Sequence, residues 1–164
     1  MVLPSNLDLA MPHLNVLAVG KLKETASQEL EAKYQERLSH YARLSIKCIK
    51  DSPATDPDKK RKEESVNLLS ALSNSDYIVV LDEQGEAVSS EGLARDLQQL
   101  ANRSVRNIVF VIGGAYGIDE SVKQKANRIL SLSALTFPHE LARVILLEQL
   151  YRAYTILGGE KYHH

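Results

Sequence analysis

One order of segments recurs along this chain and narrows its possible folds more than any other feature. A short aliphatic run is followed by a polar turn and then by residues with helical spacing. LNVLAVG (14–20), DYIVVLD (76–82) and NIVFVI (107–112) are almost wholly apolar, as strands covered on both faces are. LSIKCIK (44–50) and LSLSALTF (130–137) supply two more strands. Between them, Leu30, Tyr34, Leu38 and Tyr41 share one helical face, and Thr25 with Gln28 has the spacing of a capping box. Segment 56–72 is a helix with its charges first and its apolar residues last. Segment 89–102 is a helix capped by Ser89 or Ser90, and 119–129 is a short helix. Segment 138–157 is a long amphipathic helix with Pro138 at its first position. EQGE (83–86) reads as a turn closing the third strand. The result is an α/β domain: a mostly parallel sheet with helices on both faces.

The chain has 164 residues, enough for one domain with a core of its own, taken as 14–164. Residues 1–13 are expected to be a flexible extension, without the basic and apolar regions of a signal peptide. No apolar run approaches the roughly 20 residues of a membrane span. The net charge of −1 argues against a free-standing, non-specific nucleic-acid binder, but leaves room for one local basic patch. Cys48 is the only cysteine, so neither an internal disulfide nor a cysteine metal cluster is available. It alternates with Leu44 and Ile46, which predicts a buried thiol in a cytoplasmic protein. No His/Asp/Glu set has metal-ligand spacing, and no metal is expected.

VFVIGGAYGIDESVK (109–123) places three glycines at a strand's carboxyl end, where open α/β sheets bind ligands. Ile118 and Asp119 stand where a P-loop needs Lys and Ser/Thr, and GGAYG has the wrong spacing for a dinucleotide fingerprint. A tight strand-to-helix turn, a ligand loop, or a close pass by another part of the chain all remain. LSLSALTF ends a second strand with Ser131, Ser133, Ala134 and Thr136. Small and hydroxyl residues without lysine or arginine suit a neutral adenosine better than a triphosphate. VVLDEQGE forms a third strand end.

VLAVGKLKE (16–24), LDEQGEAVSSEGLA (81–94), FVIGGAYGI (110–118), LSLSALTFPHELARVILLEQLYRAY (130–154) and the terminal YHH occur in that order. Together they resemble the RlmH (YbeA-type) ribosomal RNA methyltransferases, from Leu14 to His164. The resemblance implies the SPOUT class, whose C-terminal part threads a deep trefoil knot, a rare exception to unthreaded connections. It implies S-adenosylmethionine as cofactor and S-adenosylhomocysteine as product. It also implies methylation at N3 of a pseudouridine in the helix 69 loop of large-subunit rRNA, on the assembled ribosome. A homodimer in which each subunit completes its partner's site is implied as well. Carried over by position, the cofactor contacts fall on Leu81, Gly113, Leu132, Ser133, Ala134, Leu135, Thr136 and Phe137. The family's terminal Tyr-His pair falls on Tyr162 and His163. Many relatives follow it with Arg or Lys; here His164 leaves a weaker, pH-dependent positive charge.

The pseudouridine N3 carries an imide proton, so a general base helps, and His163 is the candidate, with Tyr162 beside it. Arg143 is assigned to phosphate, while Arg152 lies four residues after Glu148, the spacing of an intrahelical pair. His139 is read as structural or close to the cofactor. Tyr151 and Tyr154 are read as packing or interface residues, because the last helix carries more apolar surface than one core face needs. DKKRK (58–62) is a solvated helix face or a phosphate contact. Two other classes fit the same motifs: a knotted methyltransferase for a different RNA base, and a non-catalytic ribosome-binding module.

Overall fold

The computed structural model describes residues 12–162. Ten elements follow in order: β1 (His13–Val19), α1 (Thr25–Ser39), β2 (Leu44–Ile49), α2 (Pro57–Ala71), β3 (Tyr77–Ala87), α3 (Ser90–Asn102), β4 (Asn107–Ile112), α4 (Glu120–Lys123), β5 (Arg128–Ser131) and α5 (His139–Leu157). The strands form one sheet in the order β2-β1-β4-β3-β5, and every pairing between named strands is parallel. β1 and β4, central in the sheet, align from His13–Asn107 to Ala18–Ile112.

The strand pleat divides the apolar residues between two cores. Leu14, Val16, Ala18, Ile108, Phe110 and Ile112 face α1, α3 and α5, where Leu38, Leu97, Leu146, Leu147 and Leu150 meet them. Leu17, Val19, Val109 and Val111 face the other way, against Leu68 of α2 and Val122 of α4. Helices therefore cover both faces, as the unbroken aliphatic runs require. Each fully buried Leu or Phe side chain removes apolar surface worth about 1.5–3 kcal/mol from water. Among the described residues no helix is long and apolar enough to cross a membrane.

Five local expectations change. His13 opens β1, its N–H donating to the Arg106 carbonyl at 2.7 Å, so the ordered domain starts before residue 14. Residues 1–11 lie outside the described residues. The EQGE turn is an excursion inside a longer strand: β3 leaves β5 after Leu81 and rejoins it at Glu86. β5 ends at Ser131, so Leu132–Phe137 is loop rather than strand. α4 is one turn long, because Asn127 leaves the helical path: its carbonyl side-chain oxygen accepts from the Ile78 N–H and its own N–H donates to the Ile78 carbonyl.

The fifth concerns the start of α1. Thr25 caps nothing; the N-cap is Glu24, which has no side-chain cap. The Glu140 carboxylate of α5 accepts from the Lys23 N–H at 3.1 Å and the Glu24 N–H at 3.3 Å. Gln28 donates instead to the Leu22 carbonyl at 2.8 Å. A carboxylate at exposed N–H groups on a helix N-terminus is favourable on both hydrogen-bonding and dipole grounds.

Gly85 sits at the β3 excursion with no room beside it. A Cβ there would lie 2.7 Å from the Leu130 carbonyl carbon and 2.8 Å from the Ile129 carbonyl group. A side chain at this point meets backbone, which cannot rotate away. Gly85→Ala is expected to destabilise the domain by about 2 kcal/mol, the range of core overpacking, or about 4–8 °C in Tm for a chain of this size. Calorimetric melting of the two proteins checks this; an unchanged Tm would mean that β3 and β5 separate freely.

Candidate active site

The carboxyl ends of β3, β4 and β5 converge on a cleft of about 1130 Å³. Leu81, Gly113, Leu132, Ser133, Leu135, Thr136 and Phe137 all line it. Of the positions expected to hold cofactor, Ala134 alone is not on the wall, although it belongs to the same exposed loop. Strand ends separated by tens of residues in sequence are thus brought to one site, as the parallel order dictates.

The glycine turn is shaped by its own backbone. The Gly117 N–H donates to the Gly114 carbonyl at 3.1 Å, and Gly117 has φ +77°, a conformation that favours glycine. A Cβ on Gly113 would lie 2.6 Å from Ile118 Cγ1 and 2.8 Å from the Gly117 carbonyl oxygen. The turn therefore folds back on itself and forms a wall of the cleft with nearly bare main chain.

The hydroxyls of the second loop serve the loop. Ser131 Oγ donates to the Ser133 carbonyl at 2.9 Å, and Ser133 Oγ accepts from the Leu135 N–H at 3.0 Å. Thr136 Oγ1 donates to Glu83 Oε2 at 2.6 Å, tying the loop to the β3 excursion. Lys123 and Asp82 pair at the same rim. Leu135 remains 72% exposed, an apolar side chain held out at the cleft mouth. Among the described residues no three His, Cys, Asp or Glu side chains cluster as a metal site.

Arg143 is not at this cleft. It is 4% exposed, in a close ion pair with Glu31 of α1, and its Nη1 lies 3.3 Å from Cys48 Sγ. The expected phosphate contact is corrected for this arrangement: the guanidinium is spent inside the subunit, joining α5 to α1 and β2. Cys48 is half-buried rather than fully buried, because β2 is an edge strand. The Arg152–Glu148 pair forms as its spacing predicts.

Tyr162 also lies away from the cleft of its own chain. Its ring meets Tyr151 edge-on at 4.8 Å, and the Arg152 guanidinium lies 4.7 Å from its centroid. Its hydroxyl donates to Glu148 Oε1 at 3.1 Å. Burial, with hydrogen bonding to Tyr34 and the nearby Glu148 charge, pushes its phenol up to about 12. Tyr41 and Tyr154 are pushed up as well, Tyr41 by burial and its bond to Glu160, Tyr154 by burial. His163 lies outside the described residues. Sequence reading did not single out Glu140, and it took Glu83 and Gly85 as parts of a turn at the third strand end; a glycine next to a strand pattern also marks a bulge or a close backbone pass.

Comparison with known proteins decides the family. A family profile described as "Predicted SPOUT methyltransferase" matches residues 12–163. The chain belongs to the SPOUT methyltransferase family. Within it, the chain is 45% identical over 155 residues to the "Ribosomal RNA large subunit methyltransferase H" of Nitratidesulfovibrio vulgaris Miyazaki F, covering 94% of this chain and 100% of that protein. The protein of the same name from Pseudothermotoga lettingae is 43% identical over 152 residues, covering 92% and 99%. The chain belongs to this methyltransferase H group. Its fold resembles the structure described as "Probable Methyltransferase" from Bordetella pertussis Tohama I, with a TM-score of 0.53, 10% identity, and coverage of 88% and 98%. A methylase family protein from Neisseria gonorrhoeae superposes with the same TM-score at 14% identity, covering 92% and 85%.

A raised phenol pKa has a signed consequence for this SPOUT chain. The neutral form is favoured in the folded state, so the stability it adds is complete below pH 10, the ordinary value, and is lost as pH rises towards about 12. Spectrophotometric titration is expected to show Tyr41, Tyr154 and Tyr162 ionising above the ordinary phenol value. In Tyr162→Phe one late phenolate disappears and the alkaline loss of stability becomes shallower. A Tyr162→Phe protein whose alkaline titration matches the wild type above the ordinary phenol value would contradict the docked C-terminal segment.

Proposed function

We propose that this chain transfers a methyl group from S-adenosylmethionine to N3 of a pseudouridine in the helix 69 loop of large-subunit rRNA, acting on the assembled ribosome in the cytoplasm. The observation that carries the reading is the near-complete match to proteins named ribosomal RNA large subunit methyltransferase H, joined to a glycine-walled cleft at the strand ends.

The cleft suits the cofactor. Leu81, Leu132 and Phe137 offer apolar cover for a neutral adenine, and the backbone of 132–137 offers donors and acceptors along its length. Gly113 keeps the wall at main-chain height, where a Cβ has no space. When bound, the cofactor supplies an electrophilic methyl on a sulfonium. Holding the acceptor nitrogen in line with that methyl is the protein's main contribution. The imide proton must also leave; His163 is proposed as the base that takes it, since an ordinary imidazole titrates near about pH 6.5.

The C-terminal segment docks along α5, away from its own chain's cleft. We therefore read the working form as a homodimer in which Tyr162 and His163 of one subunit complete the site of the other. The exposed Leu141 of α5 and Leu30 of α1, 42% and 38% exposed, favour such an interface. Arg143 enters this reading as a positioning residue that holds α5 against α1. The C-terminal trefoil knot belongs to the same proposal, supported by the match to the SPOUT methyltransferase family.

The test uses ribosomes from a strain lacking the endogenous modification. With purified protein and S-adenosylmethionine, nuclease digestion and mass spectrometry are expected to place one methyl on the helix 69 pseudouridine. A methyl on another rRNA position would overturn the assigned target. Cofactor binding with no rRNA methylation would point to another RNA, and absence of cofactor binding would leave a binding module. Gly113→Ala is expected to weaken cofactor binding about tenfold or more, or about 1.4 kcal/mol, by isothermal titration; unchanged affinity would remove the turn from the cofactor site.

A further inference from the structure

A second cleft, of about 560 Å³, opens beside the first at the carboxyl ends of β1 and β2. It shares Gly114, Ala115 and His139 with the first cleft, so the two adjoin. Its volume falls within the roughly 300–1,000 Å³ of small-ligand pockets. Val19 and Ile49 provide apolar surface, and Lys21, Lys23 and Lys50 stand on the rim, exposed and without an ion pair among the described residues.

Glu64 is the unusual member. It projects from α2 and is 1% exposed. Its Oε1 accepts from the Ser52 N–H at 3.0 Å and lies 4.0 Å from Lys60 Nζ. Its Oε2 has no hydrogen-bond partner. That oxygen faces Gly114, where an added Cβ would come within 2.5 Å of it. A buried carboxylate oxygen without a donor is costly, and native structures rarely leave one in that state unless a ligand or water supplies the proton.

We propose that this cleft holds an unpaired RNA nucleotide flanking the target base, with Glu64 Oε2 accepting one N–H of the base edge. The inference rests on the rRNA methyltransferase reading. It deepens that reading by naming where a neighbouring nucleotide goes. The apolar surface suits the flat faces of a base, the single free acceptor suits one N–H, and the lysine rim suits phosphate. A cationic ligand fits less well. Lys60 lies 3.9 Å from Asp51 and 4.0 Å from Glu64, so it balances part of the acidic charge, and Lys21, Lys23 and Lys50 repel a second cation. Gly114 lies against the Glu64 oxygen and has no side chain, so main chain alone stands between that oxygen and the neighbouring cleft.

Two variants test this by steady-state methylation of unmodified ribosomes, together with isothermal titration of S-adenosylmethionine. Glu64→Gln keeps the shape and replaces a carboxylate acceptor with an amide. It is expected to raise the KM for ribosomes about tenfold, with cofactor affinity within about twofold. Lys50→Ala, on the surface, carries the test if Glu64→Gln does not fold. It is expected to raise the same KM several-fold and to lower the salt dependence of ribosome binding by about one phosphate's worth. Unchanged KM in an active Lys50→Ala and in a folded Glu64→Gln overturns the nucleotide site. So does a parallel loss of cofactor affinity in Glu64→Gln, which would give the oxygen to the cofactor's amino group. A wild-type protein that binds cofactor but leaves ribosomes unmethylated removes the rRNA reading, and this inference with it.

Discussion

Two stretches of backbone pass each other in this domain with no space for a side chain between them, and the site depends on those passes. At Gly85 the β3 excursion rests against the carbonyls of Ile129 and Leu130. At Gly113 the turn after β4 closes on Gly117 and Ile118. Packed interiors have little free volume, so a single methyl in either place has to displace main chain. The first contact holds β5 where Leu132–Phe137 must leave it, and the second sets the height of the opposite wall. The cleft between them inherits its width from both.

Charge then fixes the long helix that follows the loop. Glu140, in the first turn of α5, holds the backbone N–H groups at the start of α1. One turn further on, Arg143 pairs with Glu31 of α1 and reaches Cys48 on β2. Breaking a buried pair by removing one partner is far more costly than its net contribution suggests, because an unpaired charge is left behind. These contacts give α5 one seating on α1. They also set the position of His139, which lies where the two clefts meet. An arginine that sequence position alone offered to phosphate is therefore structural in the folded subunit.

The C-terminal segment shows a different kind of dependence. Tyr162 is held by an aromatic neighbour, a guanidinium and a carboxylate, all on α5. Its docked place is a property of that helix surface and not of the cleft. A catalytic role for the end of the chain thus calls for a second subunit, which is why the dimer belongs to the functional proposal.

Local sequence determined the elements and their layering. Aliphatic runs such as NIVFVI have no polar face to give to water, so the strands had to be central and parallel, with helices on both sides. Ser89, one of the two serines read as a cap, caps α3 through its own side chain, and Asp56 caps α2 in the same short-range way. Seven of the eight positions that the motifs offered to a cofactor line one cleft. What the sequence did not disclose depends on residues far apart in the chain. The carboxylate that holds the chain entering α1 is Glu140, more than a hundred positions away, and the local Thr25–Gln28 capping box does not form. β3 runs past its apparent turn because β5 offers it a partner again at Glu86. The free oxygen of Glu64 is visible only once Gly114 lies against it. Periodicity and propensity act over a few residues and are written in order along the chain. Steric clearance, buried charge pairing and unsatisfied acceptors arise between segments, and only the packed tertiary structure decides them.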